Sequence, residues 1–235
     1  MRIKASTKHL PRLTEWHVRR CLKWANPLDL AGVELIRLIE EQPSEKSIRK
    51  PPPFYLQDSA CLGEYKKKAK RSGFINLYTS NLYRGVPVLF WVTPVATLRV
   101  AFTLAHEIGH HIVARRGFIY EPTERFKLKE FNDQYQEALV DRFARDTVRR
   151  MCRKWHYRLG RWLSKRISGF YYLQGTVDWD RKEYERAAYH WFCACHADLE
   201  NDDAARGWQQ AVARVNLSQG KSNKRLERTA NQQIS

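Results

Sequence analysis

The strongest pattern of apolar positions lies near the middle of the chain and predicts a helix of about 22 residues. Residues 93–94 (Thr-Pro) are typical of an N-cap followed by proline in the first turn, and residues 115–117 (Arg-Arg-Gly) of a helix C-terminus. Two neighbouring apolar stripes run between these signals: Val95, Leu98, Phe102 and Ala105, and Leu104, Ile108 and Ile112. Because apolar side chains cover so much of its circumference, we expect this helix at the centre of a domain.

Weaker patterns precede this central helix. Residues 74–79 alternate and residues 86–92 are rich in β-forming side chains, with turn residues between them, so they predict an antiparallel pair of strands. Residues 14–41 predict two short helices separated by an Asn-Pro pair, the second with apolar residues at positions 30, 33, 36 and 38. They are a candidate helix-turn-helix, but simple packing is favoured because no glycine-containing turn of the usual length joins them.

The second half of the chain is predicted to be mostly helical. Asp133 and Gln136 resemble a capping box, and the apolar period that follows predicts a helix to about Gly160. Residues 180–199 and 203–215 predict a helical hairpin. The polar residues from 218 onward show no core pattern and predict a disordered tail.

Composition narrows the class of protein. The chain has 235 residues, of which 43% are hydrophobic and 12% aromatic, so global disorder is excluded. It has no apolar run near the roughly 20 residues of a membrane-spanning helix and no apolar segment of a secretory signal at its start. The five cysteines include no C-x-x-C pair, which argues against a disulfide framework and a cysteine-rich zinc site. We therefore expect a soluble, cytoplasmic protein.

Candidate chemistry lies within the predicted central helix, in the H-E-x-x-H sequence of residues 106–110. His106 and His110 are four residues apart, so both imidazoles project from one helix face about 6 Å apart and can converge on one ion. Zinc prefers such neutral imidazole nitrogens, and a catalytic zinc site uses three protein ligands and one open position. Glu107 is turned by about 100° from His106 and can reach a water at the site without binding the metal, as a general base does.

A third ligand is available on the next predicted helix. Glu137 is the candidate, and Asp141 follows it by four residues on the same helix face. There Asp141 can accept the other ring N–H of a ligating histidine and fix its tautomer. An E-x-x-x-D pair after H-E-x-x-H is the arrangement of zinc peptidases that use a glutamate ligand.

These two segments resemble those of a known family. Residues 99–111, RVAFTLAHEIGHH, are similar to the R-x-x-F-T-L-A-H-E-x-G-H signature of the ImmA/IrrE metallopeptidases. Residues 137–144, EALVDRFA, are similar to that family's E-x-E-A-N-x-F-A segment, although Leu139 and Val140 replace its Glu-Ala and Asp141 its Asn. The resemblance covers about residues 60–150 and is strongest in the helix.

The resemblance implies a zinc-dependent metallopeptidase that hydrolyses a peptide bond in a protein substrate. His106, His110 and Glu137 would bind the zinc ion, Glu107 would be the general base, and Asp141 would support a ligand. Members often cleave or inactivate a helix-turn-helix repressor, so such a regulator is one substrate that the resemblance suggests.

Together, the patterns and the resemblance predict an α+β fold: a helical metallopeptidase core with a small antiparallel sheet, plus a C-terminal helical hairpin. The expected divisions are an N-terminal helical portion at 1–50, the core at 51–168, a helical lobe at 169–217 and the tail at 218–235.

Three alternatives stay open. His106 and His110 can be ordinary polar residues of a buried helix, hydrogen-bonded to carboxylates without metal. The chain can be a catalytically silent regulator or a nucleic-acid-binding module on a metallopeptidase shell. An SprT-like DNA-associated protease is disfavoured, because its third ligand is a histidine and no well-placed histidine follows until His156. His111 points about 100° away from His110 and is not expected to be a ligand.

A strongly basic segment raises the question of partners. The formal net charge is +17, and residues 149–166 contain eight Lys or Arg and no acid. A helical reading places Cys152, Trp155, Leu159, Trp162 and Leu163 on a buried stripe and the cations outside. Nucleic acid is then the candidate partner, and a solvated face the alternative; a membrane surface is not expected without a second anchor. The candidate nucleic-acid contacts are Arg149, Arg150, Arg153, Lys154, Arg158 and Arg161.

Overall fold

The computed structural model describes residues 1–8, 10–40, 62–69, 72–83, 91, 93–117, 133–198 and 200–232. Within them the chain has the predicted α+β fold, with four strands in one small sheet and most other residues in helices. Two compact units are present: the described residues up to Ser164 form the first, and those from Lys165 onward form the second. Within these residues, none of the helices combines the length and apolar character needed to cross a bilayer.

The sheet of the first unit is mixed. Its strands are β1 (Arg2–Ser6), β2 (Val33–Ile39), β3 (Gly63–Ala69) and β4 (Ser72–Tyr78), in the order β1-β2-β4-β3. β2 is parallel to both β1 and β4, whereas β3 is antiparallel to β4 and lies at the edge. The expectation of an antiparallel sheet is therefore right only for β3 and β4. The predicted partner strand at 86–92 lies outside the described residues, except for Trp91.

Three short helices also belong to the first unit: α1 (Pro11–Leu22), α2 (Pro27–Leu30) and α3 (Thr79–Tyr83). Of these, α1 and α3 contact the sheet. The central helix, α4 (Pro94–Arg116), is confirmed at both ends, with Thr93 as N-cap and Gly117 at a φ of 84° after the last turn. Ile36 and Ile75 of the sheet and Leu104 of α4 belong to one buried cluster. A helix buried on several sides therefore carries the H-E-x-x-H residues.

The prediction of a helix across residues 30–38 is wrong, because most of this segment is strand β2. A register shift between Val33 and Leu35 interrupts the β2–β4 pairing. As a result Val33 and Ile36, three residues apart, are both buried, and Leu38 follows at the ordinary strand spacing. The bulge thus produces a three-residue spacing that imitates a helix, and the N-terminal portion is part sheet rather than helical.

The predicted helix from Asp133 to Gly160 is two helices. α5 (Asp133–Met151) ends in a turn at residues 152–154, and α6 (Trp155–Asp180) follows. The sequence has no Gly or Pro at this turn, so packing sets the break. In α6 the ring of Tyr157 packs edge-on against Trp24, and Gly160 lies so close to Pro94 that an added Cβ would be 2.6 Å from the proline Cβ.

The second unit contains the predicted helical hairpin, α7 (Tyr184–Ala197) and α8 (Asp202–Gln232). Trp191 fills a space between two glycines, since a Cβ at Gly175 or Gly207 would lie 2.6 or 2.7 Å from its ring. α8 continues to Gln232, so the prediction of a disordered tail from residue 218 is wrong over 218–232. Adding turns to an existing helix avoids the cost of nucleation, and no proline interrupts this stretch.

A buried histidine gives the first unit a pH-dependent stability. The Nε2–H of His17 donates to the backbone oxygen of Trp91 at 2.8 Å, and its Nδ1 accepts from the hydroxyl of Thr97 at 2.8 Å. A carbonyl oxygen only accepts, so these bonds fix the neutral tautomer. Burial lowers the pKa of His17 from 6.5 to about 4, against the hydrogen bond to Trp91, which raises it.

We expect the free energy of unfolding to decrease as the pH falls from 6.5 towards 4, because only the unfolded state then protonates His17. The full loss attributable to this residue is about 3 kcal/mol. Urea unfolding at several pH values, with a chelator present so that metal release adds nothing, measures it. His17→Gln should show a smaller pH slope than the wild type; an equal slope in both proteins would contradict the assignment.

Candidate metal centre

The two histidines of the H-E-x-x-H sequence lie side by side on α4. Their ring centroids are 4.7 Å apart and their Nε2 atoms 3.0 Å apart. Both side chains are partly exposed, at 21% for His106 and 27% for His110. One helical turn separates the two residues, so both imidazoles emerge on the same side of the helix, as the spacing predicts.

Glu137 reaches the same point from α5. Its Oε2 lies 3.4 Å from Nε2 of His106, and its Oε1 lies 3.4 Å from Nε2 of His110. The helices can approach this closely because Gly109 has no side chain: a Cβ there would be 2.9 Å from Cγ1 of Val140. Among the described residues, His106, His110 and Glu137 form a group that could hold a metal ion, with ligand atoms within 4.8 Å of one another.

The donor set fits a tetrahedral divalent ion. Two atoms that each lie 2.0–2.1 Å from a tetrahedral centre are about 3.3 Å apart. This is close to the 3.0 Å between the two Nε2 atoms and to the 3.4 Å from each Nε2 to its nearer Glu137 oxygen, which is Oε2 for His106 and Oε1 for His110. Two imidazole nitrogens and one carboxylate oxygen are ligands that zinc accepts, and three protein ligands leave one position open.

Asp141 prepares one of these ligands. Its Oδ1 lies 2.9 Å from Nδ1 of His106 and accepts the Nδ1–H, which leaves the Nε2 lone pair directed at the site. Burial works against protonation of His106, but the hydrogen bond to Asp141 and the nearby carboxylates prevail and raise its pKa. Burial and the neighbouring charge of His106 lower the pKa of His110, which favours a neutral ligand.

Replacing Asp141 should weaken metal binding without removing a ligand. We expect Asp141→Ala to lower the affinity 10- to 100-fold, because the tautomer and orientation of His106 are no longer fixed. Asp141→Asn keeps an oxygen acceptor and should retain most of the affinity. Competition with a zinc-binding dye measures both, and Asp146→Ala, a carboxylate farther along α5 that pairs with Arg149, is the control. An unchanged affinity in Asp141→Ala would exclude this role.

Glu107 lies beside the three-residue group but does not belong to it. Only 5% of it is exposed, and β3 passes directly over it: a Cβ at Gly63 would be 3.0 Å from Cγ and Oε1 of Glu107. The backbone N–H of Tyr65 donates to the Glu107 carboxylate. Burial raises the pKa of Glu107 to about 7, against the opposing effect of His106 and of this hydrogen bond. Such a carboxyl can both accept and release a proton near neutral pH.

An open cleft of about 500 Å³ gives access to these residues. It is bordered by the edge strand β3 and by α4 and α5. The lining residues are Gly63, Glu64, Tyr65, His106, Glu107, His110, Val113, Ala114, Gln136 and Glu137. A bound metal ion would therefore face a groove with a strand along one side.

β3 is the part of the site that the sequence pattern did not indicate. Tyr65 on β3 donates its hydroxyl to Nδ1 of His111 at 3.1 Å, and Nε2–H of His111 donates to the backbone oxygen of Ala31 at 2.9 Å. His111 is fully buried, so it is not solvent-facing, and it lies outside the group that could hold a metal. Gly63 is the residue of β3 that the site requires, because a side chain there would collide with Glu107. The sequence alone does not show this contact.

Other candidate residues lie apart from the centre. Glu137, and not His156, joins the histidine pair, which disfavours the SprT-like alternative. The ring of His156 instead lies beside that of Tyr157, with centroids 4.2 Å apart and planes tilted by 49°.

The basic residues lie at the end of α5 and the start of α6. Arg149, Arg150, Arg153, Lys154 and Arg158 are exposed, and Arg161 is partly buried. The prediction that apolar residues of this segment form a buried stripe is wrong for three of them. Trp155 is 74% exposed, Leu159 48% and Trp162 53%, because α6 turns the side bearing Tyr157, Gly160 and Ser164 towards the protein instead.

Comparisons with protein-family models, with curated proteins and with solved structures give no match. The arrangement of His106, His110, Glu137 and Glu107 is therefore interpreted from its own geometry.

Proposed function

We propose that this chain is a zinc-dependent metallopeptidase of the ImmA/IrrE type. The observation that carries the proposal is the convergence of His106, His110 and Glu137, with a buried carboxyl, Glu107, next to them at an open cleft. The same residues are those that the resemblance to the family assigns. When bound, zinc would polarise the scissile carbonyl and activate a water.

The other residues around the centre have separate roles in proton transfer and in positioning. Glu107 accepts the proton of the attacking water and passes it to the leaving amine, since its pKa of about 7 permits both steps. Asp141 keeps the Nε2 lone pair of His106 directed at the site through the bond at Nδ1. β3 keeps Glu107 buried, because Gly63 lies against its side chain and Tyr65 donates a backbone N–H to it.

A protein or peptide substrate suits the cleft better than a compact metabolite. β3 is at the edge of the described sheet, so its outer backbone groups can pair with an extended peptide laid along the cleft. A regulatory repressor is the protein substrate that the family resemblance suggests. We propose a cytoplasmic location, because the described cysteines Cys21, Cys152, Cys193 and Cys195 form no disulfide, as expected in a reducing compartment.

Zinc-dependent proteolysis tests the proposal. The purified chain is incubated with an unfolded protein, and cleavage is followed by mass spectrometry with zinc, after chelator treatment, and after zinc is restored. We expect cleavage that the chelator removes and zinc restores. Stoichiometric zinc binding without any cleavage would favour the catalytically silent regulator, and the absence of zinc binding would favour two ordinary polar histidines.

A further inference from the structure

The first turns of α6 expose their large apolar side chains to solvent instead of packing them on the core. Trp155, Leu159 and Trp162 lie within an arc of about 60° on the helix and are all exposed. The opposite side carries Tyr157, Gly160 and Ser164, which are buried. Two tryptophans and a leucine therefore face away from the first unit, and Tyr157 and two small residues face into it.

Large apolar side chains that lie exposed in a group are unusual on a protein surface in water. Isolated apolar residues on a surface are ordinary, but two tryptophans and a leucine along about 10 Å of one helix are a concentrated apolar surface. Phe170, Leu173 and Val177, in the part of α6 that belongs to the second unit, are exposed as well. The large side chains are costly to leave in water, so this face is expected to be covered by something apolar.

The charges around this face limit what can cover it. Residues 149–166 carry eight Lys or Arg and no acid. Arg149, Arg150 and Arg153 border a hollow of about 400 Å³ together with Phe143 and with Asp146, which pairs with Arg149. Lys154 and Arg158 flank the first turn of α6. A second copy of the chain would bring a second set of these cations against the first, which disfavours self-association through this face.

We infer that the Trp155–Leu159–Trp162 face docks on an anionic membrane surface. Tryptophan and leucine would enter the boundary between headgroups and acyl chains, and the cations would contact lipid phosphates. Stable membrane attachment takes two signals, and the exposed side chains supply the apolar one that basic charge alone lacks. Single-stranded nucleic acid is disfavoured, because Leu159 lies between the tryptophans on a convex helix, whereas stacking sites usually line a groove.

Vesicle sedimentation tests the inference with the full chain, and the assay needs neither zinc nor peptidase activity. We expect binding to equimolar phosphatidylcholine and phosphatidylglycerol, little binding to phosphatidylcholine alone, and weaker binding as salt rises from about 50 to about 500 mM. Trp155→Ser should weaken binding about tenfold and Trp155→Ser/Trp162→Ser about a hundredfold. Lys154→Gln/Arg158→Gln should remove most of the preference for anionic lipid.

Leu28→Ser is the matched control, since Leu28 is 66% exposed in the same unit but lies on α2, and its binding should equal that of the wild type. Equal binding of the tryptophan variants and the wild type would overturn the inference. Three other results would also overturn it: a lower melting temperature in Trp155→Ser, which would show packing within the chain; a dimer that Trp155→Ser dissociates; or tryptophan-dependent binding of oligothymidylate without vesicle binding.

Discussion

Glu107→Gln is expected to keep zinc and to lose peptide hydrolysis by about a thousandfold. The amide has the size and shape of the carboxyl and still offers an oxygen to the backbone N–H of Tyr65, so the packing beneath β3 should be preserved. It cannot take a proton from water, however. The metal group of His106, His110 and Glu137 is not altered by this change.

Zinc content and cleavage rate are measured on the same preparation of this variant. Glu34→Gln is a suitable control, because Glu34 is a carboxylate of the same unit that pairs with Lys68 at 2.9 Å and lies outside the cleft. It should hydrolyse the substrate at the wild-type rate. A Glu107→Gln protein that remains active would remove Glu107 from the mechanism.

His110→Ala is expected to lose both zinc and activity. The change leaves one imidazole and one carboxylate as ligands. Loss of a residue that only supports a ligand lowers metal affinity by up to about a hundredfold, so loss of a ligand itself should lower the zinc affinity by more. The side chain is partly exposed and lies at the cleft, so the fold should survive its removal. Equilibrium dialysis with zinc and circular dichroism test these two expectations.

His156→Ala provides the comparison for this variant. It also removes an imidazole from the first unit, but His156 contacts Trp155 and Tyr157 rather than the metal group. Its zinc content should equal that of the wild type. If His110→Ala retained stoichiometric zinc, the metal would be bound elsewhere in the chain.

The central helix could be predicted from the sequence because local signals determine it. A proline begins α4, and a glycine with positive φ follows its last turn. Apolar residues on several sides of α4 require that the helix be buried. His106 and His110 are related by this helix alone, so their proximity required no knowledge of the tertiary fold. Glu137 could be proposed because it lies on a second regular helix.

The errors have a common cause, which is that tertiary contacts override local patterns. A bulge in β2 places Val33 and Ile36 on one face and imitates a helix. In α6 an amphipathic period correctly indicated a helix, but periodicity alone cannot say which face is buried. The buried face is determined by the close contact between Gly160 and Pro94, two residues that are distant in sequence.

The role of β3 in the site could not be predicted from the sequence for the same reason. Its role depends on Gly63 lying against Glu107, a contact between residues more than forty positions apart in the chain. Tyr65 is bound to His111, and His111 in turn to Ala31, so three separate segments meet there. The sequence pattern of a single segment cannot show that these three segments are in contact.

Anomalous diffraction from crystals grown with zinc tests the central claim most directly. The account predicts one peak about 2.0–2.2 Å from Nε2 of His106, Nε2 of His110 and a carboxylate oxygen of Glu137, with Glu107 beside it but not bound to it. A peak coordinated by other side chains, or no peak at this group in zinc-saturated crystals, would contradict it.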